Sequence, residues 1–376
     1  METQSPRLKI LHVLTLNGPN GEYGGPVRVA RELCSELNRR GHQTHIISGA
    51  RKNSEPVAEI GLQESFVLVK PLSRKLPVSS LWSWKLLRRL FQEIRKVDLV
   101  HIHFARDLIP FLAAGIAILT RKPFVTQTHG MIIFDGRFST KITDLFLTRP
   151  LINQSHTNLV LTEIELETTE QLRVKAHSVV LSNGIRVEKS KYSILKSGNR
   201  VIFCARLDRR KGVDKFIELA QAFQTSKLNF EIYGPDGGEL PLVLKSIEKM
   251  GPTGNLKYHG SIKSEHVQDL LKEADLLVLP SRDEPFPMVI LEALAVGTHV
   301  LVMPSCGFAK TLKDFNKNFV SETEDIQGLI NAINQFLDEP EQLSHSKIQD
   351  FCRDRFSIES VCSELENFYS SSTLGN

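Results

Sequence analysis

Short runs of Val, Ile and Leu alternate with stretches in which apolar residues return every three or four positions, and the alternation is played out twice along the chain. Unbroken apolar runs of roughly four to eight residues fit strands buried on both faces of a parallel sheet, and the longer periodic stretches fit helices that cover it. In the first half this predicts strands at 9–16, 43–48, 65–69, 98–104, 123–128, 157–162 and 178–181, with helices at 27–40, 81–96, 108–120, 141–153 and 164–173. In the second half it predicts strands at 200–205, 229–233, 256–259, 275–279 and 299–303, with helices at 212–223, 241–250, 264–273 and 287–296. Two doubly wound α/β units follow. After Asn183-Gly184 a polar stretch has no sustained apolar face, so an interdomain linker is expected at 186–199, between a unit at 1–185 and another at 200–355. The tail, 356–376, returns to helical spacing.

A length of 376 residues suits two ordinary cores, and 41% hydrophobic with 24% charged residues is the balance of a soluble globular protein. The five cysteines are scattered and form no C-x-x-C pair, which points to a reduced cytoplasmic setting. The start of the chain lacks a signal-peptide apolar region, and the longest apolar stretch, 108–119, is too short to span a bilayer. The net charge of +4 divides unevenly: residues 1–190 hold 26 Lys and Arg against 17 Asp and Glu (+9), and the remainder 21 against 26 (−5). Such a basic half suits an anionic lipid, an anionic acceptor or solubility alone. No aromatic stacking platform or nucleic-acid motif accompanies it, so no nucleic-acid partner is expected. The helix at 81–96 carries five cations and two tryptophans. It could lie peripherally on an anionic membrane at its inner face, but packing of Leu87, Leu90, Phe91 and Ile94 on the sheet is the favoured reading.

The chemistry concentrates after the second half's strands. Ser281-Arg282-Asp283-Glu284-Pro285-Phe286-Pro287-Met288-Val289-Ile290-Leu291-Glu292 places one carboxylate before an apolar helix and another two turns inside it, downstream of a buried strand. Carboxylates at a strand's carboxyl end can grip two ends of one polar ligand, although acidic residues also favour helix N-termini for their own sake. Earlier, Arg206-Leu207-Asp208-Arg209-Arg210-Lys211-Gly212 sets two cations, Arg206 and Lys211, between a strand and a helix, where they can hold phosphate or stand solvated in a loop. Gly24-Gly25-Pro26 and Gly234-Pro235-Asp236-Gly237-Gly238 are glycine turns ahead of helices, suited to close backbone approach or to simple reversal. His129 closes a strand in Thr128-His129-Gly130. His101 and His103 alternate on another strand and share one face; with no third ligand evident nearby they read as packing rather than metal ligation. No Asp-x-Asp pair occurs, so no metal and no other cofactor is expected.

Taken in order along nearly the whole chain, these motifs resemble glycosyltransferase family 4, the retaining nucleotide-sugar glycosyltransferases of the GT-B fold. The resemblance implies two Rossmann-like doubly wound domains facing across a cleft, a final helix crossing back to the first domain, and a nucleotide-sugar donor. It places Arg206 and Lys211 on the donor diphosphate, Glu284 on the sugar hydroxyls, Glu292 on the ribose and His129 opposite the sugar. Gly24, Gly25, Gly234, Phe286, Pro287, Met288 and Val289 complete the implied donor site. Three positions depart from the family pattern: Pro287 stands where glycine is common, His299 where proline is usual, and Cys306-Gly307 where a glycine pair is frequent. The implied reaction is metal-independent, retaining transfer of a hexosyl group to a hydroxyl of a lipid-linked or polysaccharide acceptor, in cell-surface polysaccharide or glycolipid synthesis. A UDP-sugar is the favoured donor and GDP-mannose the next. The rival readings are a GT-B epimerase or phosphorylase and a non-catalytic sugar-nucleotide-binding protein.

Overall fold

The structure, a computed structural model, describes residues 7–18, 24–52, 56–73, 78–133, 136–187, 199–338 and 343–374. Two compact units make up the chain: Met1–Gly184 with Ile358–Asn376, and Ile185–Ser357. Within the stretch expected to link them, residues 188–198 lie outside the described residues.

The first unit is built on β1 (Lys9–Leu16), β2 (Gln43–Ala50), β3 (Gln63–Leu68), β6 (Leu99–His103), β7 (Phe124–Gln127), β8 (Thr157–Val160) and β9 (Ser178–Val180), with a small antiparallel hairpin of β4 (Lys70–Pro71) and β5 (Leu81–Trp82) beside them. The seven strands form one parallel sheet in the order β3-β2-β1-β6-β7-β8-β9. Every residue of β6, β7 and β8 is buried, as strands covered on both faces must be. The helix Leu108–Leu119 is apolar nearly all round because it packs into the core formed by Leu11, Val100 and Ile102. The helix expected at 81–96 starts later, at Trp84, because Leu81 and Trp82 pair as β5 and the Ser83 hydroxyl accepts the Leu86 N–H as a cap. Leu90 and Ile94 enter the core as expected, but Phe91 does not: it stays 39% exposed.

The last helix, Ile358–Leu374, belongs to this first unit. Arg40 ties it down by bonding Glu366 at 2.7 Å and Ser363 at 3.0 Å, and His42 Nε2 meets Glu366 Oε1 at 2.9 Å. Tyr369 is fully buried and reaches His101.

The second unit holds β10 (Arg200–Cys204), β11 (Asn229–Tyr233), β12 (Leu256–Tyr258), β13 (Leu276–Leu279) and β14 (His299–Val302), parallel in the order β12-β11-β10-β13-β14. Chain order reverses between β10 and β13, and at such a switch point the loops leaving the two strands diverge and open a crevice. Three helices that the periodicity did not single out, Ala309–Phe315, Ile326–Asp338 and His345–Phe356, complete this unit. His299, where the family favours proline, is buried among the rings of Phe319, Phe336 and His345.

Candidate functional site

In the second unit, Arg206 and Lys211 follow β10 while Glu284 and Glu292 follow β13, so the four residues leave the two strands that flank the switch point. Their loops are held in place by backbone that no side chain could replace. Gly212 has φ +79°, and a Cβ there would sit 1.9 Å from the Pro280 carbonyl oxygen. Gly234, at φ +152°, would bring a Cβ within 1.8 Å of the Ala205 oxygen, so close strand-end packing already requires glycine there. The Asp208 carboxylate accepts the Lys211 N–H at 2.8 Å and starts the single turn that carries Lys211. From the other loop, Arg282 donates to Asp214 at 2.8 and 3.0 Å, and its own N–H bonds the Arg210 carbonyl. These contacts lock the β10 and β13 loops to each other.

The two loops meet in a pair the sequence did not foreshadow. Lys211 Nζ lies 2.5 Å from Glu284 Oε2, although the resemblance assigns these groups to different parts of the donor. Both side chains are largely buried, and each neutralises the other where water is scarce. Arg206 is exposed; its aliphatic stem lies against Gly237, where a Cβ would come within 2.8 Å of Arg206 Cγ. Phe286 packs on Phe308 with ring centroids 4.8 Å apart, and Gly307 donates its N–H to the Glu284 carbonyl at 2.8 Å. The Cys306-Gly307 pair thereby serves as a clamp on the Glu284 loop, and a Gly307 Cβ would meet the Pro285 oxygen at 2.2 Å. Pro287 takes an extended conformation just before the helix Met288–Ala295, where a missing N–H costs nothing. Met288 and Val289 open that helix and Glu292 is buried within it. The Cys204 thiol, at the end of β10, is pushed up to about 12 by burial and by the Glu292 carboxylate, which places Glu292 by the carboxyl end of that strand.

His129 lies in the first unit, immediately after β7, with φ +52° followed by Gly130 at φ +71°. Two consecutive left-handed residues, one of them histidine, need support. Glu165 supplies it: its Oε1 accepts from the Thr128 hydroxyl at 2.6 Å and the Gly130 N–H at 2.7 Å, while Oε2 accepts the Leu161 N–H at 2.7 Å. Sequence reasoning did not single out Glu165. The only signal for it was Thr162, three residues ahead, whose hydroxyl caps the same turn.

The expectation that no third ligand lies near His101 and His103 is corrected by sheet register. His12 on β1 pairs directly with His101 on β6, so a residue distant in sequence becomes a neighbour, and ligand nitrogens of His12, His101 and His103 lie within 4.8 Å of one another. His12 Nδ1 bonds His103 Nε2 at 3.1 Å, and His103 Nδ1 bonds His129 Nε2 at 2.7 Å, with the His103 and His129 rings stacked. His101 uses Nε2 on Gln127 at 3.1 Å and Nδ1 on the Tyr369 hydroxyl at 2.6 Å. His12 Nε2 is buried without a partner. Burial pushes His101 and His129 down to about 3 and drives His12 and His103 well below their ordinary value, so the whole column is neutral at pH 7.

Of the glycine turn expected after β1, residues 21–23 lie outside the described residues; Gly24 and Gly25 begin the helix Gly24–Arg39, and a Cβ on Gly25 would meet nothing within 4 Å.

Known proteins share this organisation. Residues 23–189 match the model of Glycosyltransferase Family 4, and residues 185–349 match that of Glycosyl transferases group 1. Together the two models span most of the chain, and this protein belongs to the GT-B glycosyltransferases of family 4 type. The N-acetyl-alpha-D-glucosaminyl L-malate synthase of Bacillus anthracis is 23% identical over 364 residues, covering 92% of this chain and 93% of its own. The putative teichuronic acid biosynthesis glycosyltransferase TuaC of Bacillus subtilis is 24% identical and covers 93% of this chain and 86% of its own. Among solved structures, Anabaena HepE in complex with UDP superposes with a TM-score of 0.76 at 19% identity, covering 96% of this chain and all of that one.

Proposed function

We propose that this glycosyltransferase is a retaining hexosyltransferase that takes a hexosyl group from a nucleotide-sugar, a UDP-sugar first and GDP-mannose next, and passes it to a hydroxyl of a lipid-linked or polysaccharide acceptor in cell-surface polysaccharide or glycolipid synthesis. The observation that carries the reading is the Lys211–Glu284 pair, which joins the two loops that flank the β10/β13 switch point, with Arg206 on the first of these loops and Glu292 buried in the helix that follows the second. HepE is recorded with UDP and with UDP-glucose, and TuaC is named for teichuronic acid biosynthesis, which supports a UDP-sugar and a cell-surface product.

In this reading Arg206 and Lys211 stabilise the negative charge that grows on the departing diphosphate, the task a divalent metal would otherwise perform. Donor binding gives Lys211 a phosphate in exchange for Glu284, and Glu284 is released to the sugar hydroxyls. Until then, the 2.5 Å pair keeps both groups oriented. Glu292 meets the ribose; Gly24, Gly25, Gly234, Phe286, Pro287, Met288 and Val289 shape the donor site; His129 acts in transfer rather than in nucleotide affinity. The acceptor oxygen bonds to the anomeric carbon on the face the phosphate leaves, and its proton goes to the leaving phosphate oxygen. A lipid-linked acceptor brings the reaction to a bilayer, so peripheral contact with an anionic membrane is part of the same reading; among the described residues no helix is long and apolar enough to cross one.

A thermal-shift screen with UDP-, GDP- and ADP-sugars, in EDTA and in magnesium, tests the donor. At a hundredfold excess over Kd a ligand stabilises by about 2.7 kcal/mol, and the expected result is a shift with a UDP-sugar that EDTA leaves intact. Glu284→Ala should keep its fold and lose transfer, scored by product analysis with and without acceptor. Full turnover in that variant refutes the assignment.

A further inference from the structure

The helical segment 138–152 of the first unit is folded with its apolar side outward. Its buried face carries Asp144, Thr148 and Ile152, four residues apart, and Arg106 clamps Asp144 through bonds of 2.7 and 2.8 Å. Its solvent face carries Phe138 and Phe146, 78% and 69% exposed, with Ile142 and Leu145 between them. A helix that needed only to pack on this unit would carry the opposite pattern. Midway, residues Asp144–Thr148 form a π-helical turn that widens the segment. Beside this turn lies an open cavity of about 250 Å³ walled by Lys141, Arg149 and Arg173. Asp144, the one carboxylate in its wall, is already committed to Arg106. Arg149 and Arg173 have no ion-pair partner among the described residues. Arg173 projects from a left-handed residue, φ +55°, just past the end of the helix Glu163–Gln171.

We propose that this face docks on an anionic lipid surface, with Phe138, Ile142, Leu145 and Phe146 entering the headgroup boundary and Lys141, Arg149 and Arg173 receiving a lipid phosphate in the cavity. The inference deepens the membrane-contact reading above and rests on it, and it moves the contact away from the helix Trp84–Ile94, whose Leu86, Leu90 and Ile94 are spent on the core. The charge decides the occupant. In a two-fold contact between copies of this chain, the three cations would face their own equivalents, whereas an anionic bilayer offers apolar depth and phosphate together.

The test is flotation of the full chain with vesicles of phosphatidylcholine alone and with 30% phosphatidylglycerol, for the wild type, Arg149→Glu/Arg173→Glu, Phe138→Ser/Phe146→Ser and, as a control surface, Trp84→Ser/Arg88→Glu. All six positions are exposed or partly exposed, and urea midpoints verify that the variants fold. Expected is binding of the wild type that requires phosphatidylglycerol, falls about tenfold or more in each of the first two variants and is unchanged in the control. Binding lost only in the control moves the contact to the helix Trp84–Ile94 and overturns the proposal. No binding by the wild type removes the membrane reading together with this site, and leaves donor recognition in the thermal-shift screen unaffected. A lipid-free dimer abolished by Phe138→Ser/Phe146→Ser assigns the face to self-association and overturns it likewise.

Discussion

Acid should unfold the first unit through its histidine column well before ordinary carboxylates titrate. An unfolded histidine binds a proton as pH falls through about 6.5, whereas His101 and His129, pushed down to about 3 by burial, refuse it in the folded unit. The unfolded chain therefore binds more protons throughout that window, and stability is full above pH 7 and lost on acidification. Each group costs about 1.4 kcal/mol per pH unit below 6.5. From pH 7.5 to 5.5 the two together remove ~3 kcal/mol, and by pH 4.5 ~5 kcal/mol, comparable with the lower end of the ~5–15 kcal/mol stability of a typical domain. His12 and His103, shifted the same way, steepen the loss, and His45, lowered chiefly by burial, adds to it. Both tryptophans, Trp82 and Trp84, lie in this unit, so their fluorescence in urea reports on it alone. With a slope of ~2 kcal/mol per molar urea, the midpoint should drop by about 1–2 M between pH 7.5 and 5.5. A midpoint that moves by less than about 0.3 M would show that the column is hydrated or already charged, and would refute the reasoning.

Two further outcomes separate local causes. Tyr369→Phe keeps the ring in the core and removes only the hydroxyl that meets His101 Nδ1, so unfolding of the first unit should become easier by about 1–3 kcal/mol; an unchanged midpoint means water takes the hydroxyl's place. Gly212→Ala must tolerate φ +79° and a contact with the Pro280 oxygen, a cost of about 2–5 kcal/mol that displaces Lys211 as well, so both melting temperature and UDP-sugar shift should fall; a wild-type donor shift would detach Lys211 from that loop's geometry.

What could be read from residues alone was whatever depends on near neighbours in the chain. The strand Lys9–Leu16 emerges where the apolar run placed it, because burial on both faces of a parallel sheet leaves a nearly continuous apolar signal, and the strand Asn229–Tyr233 emerges where predicted with its buried Phe230 and Ile232 alternating with more accessible residues. Arg206, Lys211, Glu284 and Glu292 also sit where the local pattern put them, the first two in the loop after β10 and the last two in the loop and helix after β13. Tertiary structure decided the rest. The Lys211–Glu284 pair joins residues 73 positions apart, and His12 finds His101, 89 positions further on, only through the register of two strands. Glu165 matters because one carboxylate lies under three donors, two from the Thr128–Gly130 turn and one from Leu161. The outward Phe138 and Phe146 look, in sequence, like any amphipathic helix, because periodicity reports that a stripe exists and never which side of it meets the sheet. Local patterns of burial and chain reversal are encoded residue by residue, whereas a polar contact across strands depends on register and on which helix face turns inward, and both are set only when the whole unit packs.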